Sequence, residues 1–229
     1  MHPYITAHAG SENTPDNTLE SVLAASRLGA DFVEVDVRLD ARGVPRLTHD
    51  MPGNFTGCPR LEDALRAIAA GGCGVNCDLK ESEALDAALA LGEACGLSPE
   101  RLVFSGDVPI ARLLDEPDIA RRATIFLNSE IICAHMAGTD GLTRAEQSLY
   151  LAAHPDEVCG LLRETGAQAL NAPYLAFPEM LLRGLRAHGI ALSLWTVNDG
   201  EALRRLLRED VLNITTRTVR DALRLRAGL

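Results

Sequence analysis

Acids and histidines recur in this chain where apolar runs finish. His8 follows Tyr4 and Ile5, Glu34-Val35-Asp36 ends a second run, His49-Asp50 a third, and Asp78-Leu79-Lys80 a fourth. Charged groups are rarely buried without a partner, yet these fall where extended strands should end. In a barrel of parallel strands such ends meet at one mouth. Three carboxylates, two imidazoles and one ammonium gathered there would make a metal-assisted phosphate-cleaving site. Glu34 and Asp36 are two apart on a strand, so both leave the same face, and Val33, Val35 and Val37 take the other. Side by side and unpaired, the two carboxylates would repel until one took up a proton. A hard divalent cation, Mg²⁺ or Ca²⁺, resolves this with oxygen ligands; a pair satisfied by arginines is the alternative. Asp78 and Lys80 repeat the spacing, offering a third carboxylate ligand and a point charge for a phosphoryl oxygen, or else a plain ion pair. His8 and His49 each stand near an acid, so one could take a proton from an attacking oxygen while the other gives one to a leaving oxygen. Trp195 reads as core packing or as a wall for an apolar or glycerol-like portion of a substrate.

The elements that would position these residues follow a repeated phrase. A helix-like segment ends at Gly and an apolar strand begins within a few residues, as at Leu28-Gly29, Cys95-Gly96, Thr165-Gly166 and His188-Gly189. Glycine supplies the left-handed turn there. Apolar spacing such as Leu61, Ala64, Leu65 and Ile68 predicts the helices. Pro178 suits a first helical position and Asp199 an N-cap. Eight principal strands are expected to begin near Tyr4, Asp31, Val75, Leu102, Thr124, Ala169, Ala191 and Val211, with a short extra strand at residues 45–48. Strands alternating with helices imply a parallel sheet. Eight units in 229 residues favour an α/β TIM (β/α)8 barrel in a single domain over an open doubly wound sheet. The turn after the first strand, AHAGSEN, also lacks the GxGxxG of a dinucleotide fold. Residues 128–150 show no clear strand and read as a lid or as a surface excursion with its own short helix from Thr143.

Composition excludes several function classes. Hydrophobic residues make up 47% of the chain, enough for a sizeable core. A formal net charge of −10 argues against nucleic acid, which needs a basic face. A small phosphorylated substrate remains compatible, because charge around a metal can oppose the global sign. The six cysteines match neither a disulfide framework nor a zinc site, and reduced buried thiols are expected. No apolar run reaches the ~18 residues of a membrane span. The first residues lack a basic segment followed by a long apolar one, so no secretory signal is expected and a cytoplasmic location follows.

In their order these motifs resemble the glycerophosphodiester phosphodiesterase family, over nearly the whole chain. The family's opening His-Arg-Gly and Glu-Asn-Thr look like His8-Ala9-Gly10 and Asp16-Asn17-Thr18. Its Glu-x-Asp metal pair looks like Glu34 and Asp36, its His-Asp like His49-Asp50, and its acid-x-Lys strand like Asp78 and Lys80. Its Trp-Thr-Val-Asn stands intact at Trp195 to Asn198. The resemblance implies a TIM-barrel hydrolase that cleaves a glycerophosphodiester to glycerol 3-phosphate and an alcohol. It implies one Mg²⁺ or Ca²⁺ on Glu34, Asp36 and Asp78, acid–base catalysis by His8 and His49, and substrate contacts from Lys80, Trp195 and Asn198. The partner would be a small phosphodiester. Attack by the substrate's neighbouring hydroxyl would give a cyclic phosphate that water then opens.

Four departures stand out. Ala9 replaces the family's phosphate-binding Arg, which leaves Lys80 and the metal, or another arginine such as Arg38, to compensate. The small subdomain that the family inserts after His-Asp is largely missing, so the pocket should be more open or be closed by residues 128–150. The third ligand is Asp78 rather than Glu. The family's closing Thr-Asp is Thr215-Thr216. Asp-Leu-Lys and the missing Arg also resemble the sphingomyelinase D-like phospholipases, lyases that release a cyclic phosphate; that is the alternative activity. A barrel that binds a phosphodiester without turning it over is the third reading.

Overall fold

The computed structural model describes residues 2–138 and 140–229. In chain order the elements are β1 (Tyr4–Ala7), α1 (Leu19–Leu28), β2 (Phe32–Leu39), β3 (Pro45–Leu47), α2 (Leu61–Gly71), β4 (Gly74–Leu79), α3 (Ala84–Ala94) and β5 (Leu102–Gly106). Then follow α4 (Ile110–Asp115), α5 (Ile119–Arg122), β6 (Thr124–Asn128), α6 (Ser129–Ala137), α7 (Arg144–Ala153) and α8 (Pro155–Thr165). The chain ends with β7 (Ala169–Pro173), α9 (Glu179–Ala187), β8 (Leu192–Trp195), α10 (Gly200–Leu206), β9 (Asn213–Thr216) and α11 (Val219–Ala227). Eight of the strands run parallel in the order β1-β9-β8-β7-β6-β5-β4-β2, and β1 pairs with both β2 and β9. That double pairing closes the sheet into the (β/α)8 barrel expected from the sequence. β3 lies outside the circle, antiparallel to the end of β2, with Leu47 opposite Val37.

The two faces of the strands carry different chemistry. Val33, Val35 and Val37 point outward and are buried with helix residues such as Val22, Leu65 and Leu85. Each such side chain contributes about 1.5–3 kcal/mol when fully buried. The inner face changes character along the barrel axis. At its base, Phe32, Val103, Phe126 and Ala169 form a small apolar plug. Above it lies a hydrogen-bonded polar layer. Thr6 Oγ1 donates to Asn213 Oδ1 at 2.7 Å, and Asn213 Nδ2 to Ser193 Oγ at 3.0 Å. Asn171 Nδ2 donates to Asn128 Oδ1 at 2.7 Å, and Ser105 Oγ to Asn76 Oδ1 at 3.0 Å. Buried polar groups are tolerable because they satisfy one another, and the layer forms a rigid floor under the carboxyl ends of the strands.

The connections agree with the sequence reading in most places. Gly29, Gly96, Gly166 and Gly189 all have positive φ just beyond helices. Asp199 caps α10 by accepting from Ala202 N at 2.8 Å. Pro178 is the N-cap of α9 rather than its first residue. Residues 128–150 are not a loop. They hold α6 and the start of α7, packed against each other, and only Thr139 of this stretch lies outside the described residues. The short helix expected from Thr143 is α7. Thr143 Oγ1 accepts from Glu146 N, and Thr143 N donates to Glu146 Oε2 at 2.8 Å, a full capping box.

Gly106 shows how tightly the mouth is built. It has φ +77°, and a Cβ there would fall 2.2 Å from Leu79 O and 2.6 Å from Asp78 Oδ1. No side chain fits without moving β4. Gly106→Ala is expected to destabilise the fold by about 2 kcal/mol or more, lowering Tm by roughly 4–8 °C. Thermal unfolding of the variant checks this, and an unchanged Tm would show that β4 and β5 are not locked here.

Candidate active site

The parallel register sets Glu34 opposite Asn76 and Asp36 opposite Asp78 across β2 and β4. The carboxylates of Glu34, Asp36 and Asp78 therefore converge, with one oxygen from each within 4.8 Å of the others. Glu34 and Asp36 are 6% and 4% exposed. They line one cavity of about 590 Å³ with His8, His49, Lys80 and Trp195. The inner-face placement expected for the pair at 34 and 36 is what the barrel shows.

Each carboxylate has its own support. Glu34 Oε2 accepts from Ala9 N at 2.8 Å. Asp36 is held by a two-way bond with Asn17: Asn17 Nδ2 donates to Asp36 Oδ2 at 2.7 Å, and Asp36 N to Asn17 Oδ1 at 2.9 Å. Ser105 Oγ lies 3.0 Å from both Asp78 Oδ1 and Asn76 Oδ1 and shares its single proton between them. Lys80 Nζ stands between Asp36 Oδ1 at 2.7 Å and Asp78 Oδ2 at 2.5 Å. Burial, with the charges of Asp36 and Asp78, raises the Glu34 carboxyl well above the usual range. Burial also raises Asp78, with Asp36 adding to it and Lys80 opposing. Burial works against the Lys80 ammonium, but Asp78 and Asp36 hold it above its ordinary value. One ammonium among three carboxylates leaves negative charge uncompensated. An all-oxygen donor set in that electrostatic state fits a hard divalent cation.

The two histidines differ in setting. His8 Nδ1 donates to Ala9 O at 3.0 Å and lies 3.8 Å from Glu34 Oε2, so Nε2 keeps the lone pair. Burial lowers its pKa, the Arg217 charge lowers it further, and the bond to Ala9 O opposes. A neutral imidazole that can accept a proton results. The side chain of His49 is 66% exposed, and its Nδ1 bonds Asp50 Oδ1 at 2.8 Å. The path from β3 to α2 carries no inserted subdomain, which leaves this side of the mouth open.

Lys80 and Trp195 line the cavity, whereas Asn198 does not. Asn198 Oδ1 instead accepts from Arg217 N at 2.8 Å and Thr216 Oγ1 at 3.3 Å, shaping the turn after β9. Arg38, the arginine suggested for the place vacated at Ala9, donates through Nε to His49 O at 2.8 Å and reaches Glu81 Oε2 at 3.5 Å. Sequence reasoning missed Arg217, Arg144, Asp107 and Glu130, all of which line the cavity. Arg144 sits with its guanidinium carbon 5.1 Å from the centroid of the Trp195 ring. Arg217 could have been sought two residues beyond Thr215, at the end of the last strand. The others carry no spacing signal.

Residues 8–64, which hold both histidines and the 34/36 pair, match the model of the glycerophosphoryl diester phosphodiesterase family. A glycerophosphodiester phosphodiesterase of Caldanaerobacter subterraneus subsp. tengcongensis is 25% identical over 250 aligned positions, covering 94% of each chain. The chain is thus similar to this family, through the model match at its N-terminal quarter and through a relative aligned along nearly its whole length. The fold agrees. An Oleispira antarctica phosphodiesterase solved with its product sn-glycerol-3-phosphate superposes with TM-score 0.71 at 20% identity, covering 98% of this chain and 96% of that one. A glycerophosphodiester phosphodiesterase from Thermotoga maritima gives 0.69 at 21% identity, covering 99% of each.

The charge imbalance at the triad has a measurable sign. The folded-state pKa of Glu34 is raised, so its contribution to stability is full below the unfolded carboxyl range and is lost as pH rises through the raised value. Without divalent cation at neutral pH, Glu34→Gln is therefore expected to raise Tm, by the few degrees that about 1–2 kcal/mol gives in a chain of this length. Adding Mg²⁺ or Ca²⁺ should raise the wild-type Tm and leave the variant nearly unmoved. Equal cation-induced shifts in both, read by scanning calorimetry, would rule out Glu34 as a ligand.

Proposed function

We propose that this chain is a divalent-cation-dependent glycerophosphodiester phosphodiesterase that releases glycerol 3-phosphate and an alcohol. The observation that carries this reading is the convergence of Glu34, Asp36 and Asp78 with two histidines and Lys80 in one cavity. Glu34, Asp36 and Asp78 would hold the cation. When bound, Mg²⁺ or Ca²⁺ supplies Lewis acidity, lowering the pKa of a coordinated hydroxyl and neutralising a phosphoryl oxygen.

The side chains divide the remaining work. His8 Nε2 takes the proton from the substrate's neighbouring glycerol hydroxyl as its oxygen bonds to phosphorus. The bond from phosphorus to the alcohol oxygen breaks, and His49, on the open side of the cavity, donates a proton to that oxygen. The product of this step is a cyclic phosphate. In the second step the roles reverse. His49 takes a proton from water, the new oxygen bonds to phosphorus, and His8 returns its proton to the glycerol oxygen that leaves. The net change is one diester and one water converted to one monoester and one alcohol. Lys80 offers its charge to a phosphoryl oxygen, and Trp195 offers an apolar wall to the glycerol portion. Asp50 fixes the tautomer of His49.

The cyclising lyase is the second reading, favoured by Ala9 and by the open path beside His49. Phosphorus NMR of purified protein incubated with glycerophosphocholine, or with lysophospholipids, and Mg²⁺ or Ca²⁺ separates the two. A monoester is expected, whereas a persistent cyclic phosphate would establish the lyase. His8→Ala and His49→Ala should each lower the rate by at least ~10²-fold. Wild-type rates in either variant would remove that residue from the chemistry.

A further inference from the structure

The cavity needs a cation for the substrate's phosphoryl oxygens, and four cationic side chains line it: Arg38, Lys80, Arg144 and Arg217. Lys80 lies between two carboxylates and can offer a phosphoryl oxygen its charge and a single remaining donor, but not a two-pronged clamp. Arg38 is turned toward His49 O and Glu81. Arg144 is on the Trp195 wall. Arg217 stands beside the first turn, where a Cβ on Gly10 would come within 2.9 Å of its Nη1 and 1.7 Å of Asp16 Oδ1. The absence of a side chain at Gly10 makes room for both partners.

Arg217 is fixed from every side but one. Its backbone N donates to Asn198 Oδ1 at 2.8 Å, and its carbonyl accepts from Glu12 N at 2.9 Å. Its Nη1 and Nη2 donate end-on to Asp16 Oδ1 and Oδ2 at 2.8 and 3.0 Å, and Nη1 also approaches Gly10 O at 3.4 Å. A guanidinium has five N–H groups. The Nε–H and the second Nη2–H, which share the lateral edge, have no partner among the described residues. That edge is the fork that clamps a phosphate in two parallel hydrogen bonds. The side chain is 37% exposed and lines the cavity.

We propose that Arg217 binds the phosphoryl group of the substrate, replacing from the last strand the arginine missing at position 9, and that Asp16 orients it. This rests on the phosphodiesterase reading above. The clamp has moved across the seam between β1 and β9 while facing the same cavity as His8. Asp16 acts as a positioning residue: it occupies the end of the guanidinium and leaves the lateral edge free.

The test measures ligand affinity and turnover separately. Glycerol 3-phosphate is titrated calorimetrically into the cation-loaded protein, and kcat and KM are measured with glycerophosphocholine. Arg217→Met should weaken glycerol 3-phosphate at least tenfold and lower kcat/KM at least a hundredfold, with cation affinity within twofold of wild type. Arg217→Lys keeps the charge without the fork and should fall between. Asp16→Asn should lose less than Arg217→Met on both measures. Adding Ala9→Arg to Arg217→Met should recover at least tenfold in kcat/KM. Unchanged affinity and turnover in Arg217→Met would overturn the assignment, as would equal losses in Arg217→Met and Asp16→Asn, which would mean a purely structural pair. A wild-type protein that neither binds glycerol 3-phosphate nor cleaves the diester removes the phosphodiesterase reading itself. A wild type that does both, beside an Arg217→Met that matches it, removes only the arginine.

Discussion

Mutual repulsion among three largely desolvated carboxylates is the constraint around which this barrel mouth is arranged. Glu34, Asp36 and Asp78 would each be easier to place in water. Here they are driven together by strand register, because residues opposite one another on β2 and β4 share the inner face. The outward valines set that register: a slip by one residue would bury the acids against the helices and expose the valines to the lumen. The same apolar packing that stabilises the fold thus supplies the free energy that holds like charges within 4.8 Å. Lys80 offsets part of the repulsion. The remainder is what makes a divalent cation a fitting occupant.

The turn after β1 ties this cluster to the rest of the mouth, and its Asp-Asn-Thr run has a physical reading residue by residue. Asp16 holds the Arg217 guanidinium, Asn17 exchanges two hydrogen bonds with Asp36, and Thr18 caps α1 by accepting from Ser21 N. Asn17 does this with φ 56°, a left-handed conformation that asparagine tolerates better than most residues. Three adjacent residues therefore fix a helix, a buried acid and a cation. Ala9 N on Glu34 completes the turn's hold on the cluster.

Much of this was legible in the sequence, and the reasons are specific. The spacing of Glu34 and Asp36 gave their shared face directly, because a strand alternates with period two. The glycines after helices marked the barrel's punctuation, since few other residues accept positive φ there. Residues 128–150 were legible in part: the helix expected from Thr143 is α7, whereas α6 was missed because its run Ile131, Ile132 and Cys133 is apolar without a clear helical or strand period. Asn198 belongs to a motif that could be recognised, but its position outside the cavity depends on how the turn after β9 folds back. Arg217 follows the last strand closely enough to have been sought, but its pairing was not legible because its partners, Asp16 and Gly10, lie more than 200 residues earlier in the chain. Only closure of the barrel brings them together.

Local charge also accounts for how a chain of net charge −10 can accept an anionic diester. At physiological ionic strength the screening length is about 8 Å, so acids on the far helices contribute little to the potential inside the mouth. The acids that matter are those lining the cavity, and three of them converge where a cation fits. Asp16 is already paired with Arg217, leaving Asp107 and Glu130 as the acids on the β5–β6 side. Burial raises the Asp107 carboxyl, with Asp78 and Glu130 adding to it, so negative charge is concentrated on that wall. The arginines at 144 and 217 stand toward β8 and β9, the opposite arc of the strand order. A diester entering this field has its phosphoryl oxygens drawn toward the arginine arc and repelled from the acidic wall. On the proposed reading, the polarity of the mouth, rather than the charge of the whole chain, would orient the substrate.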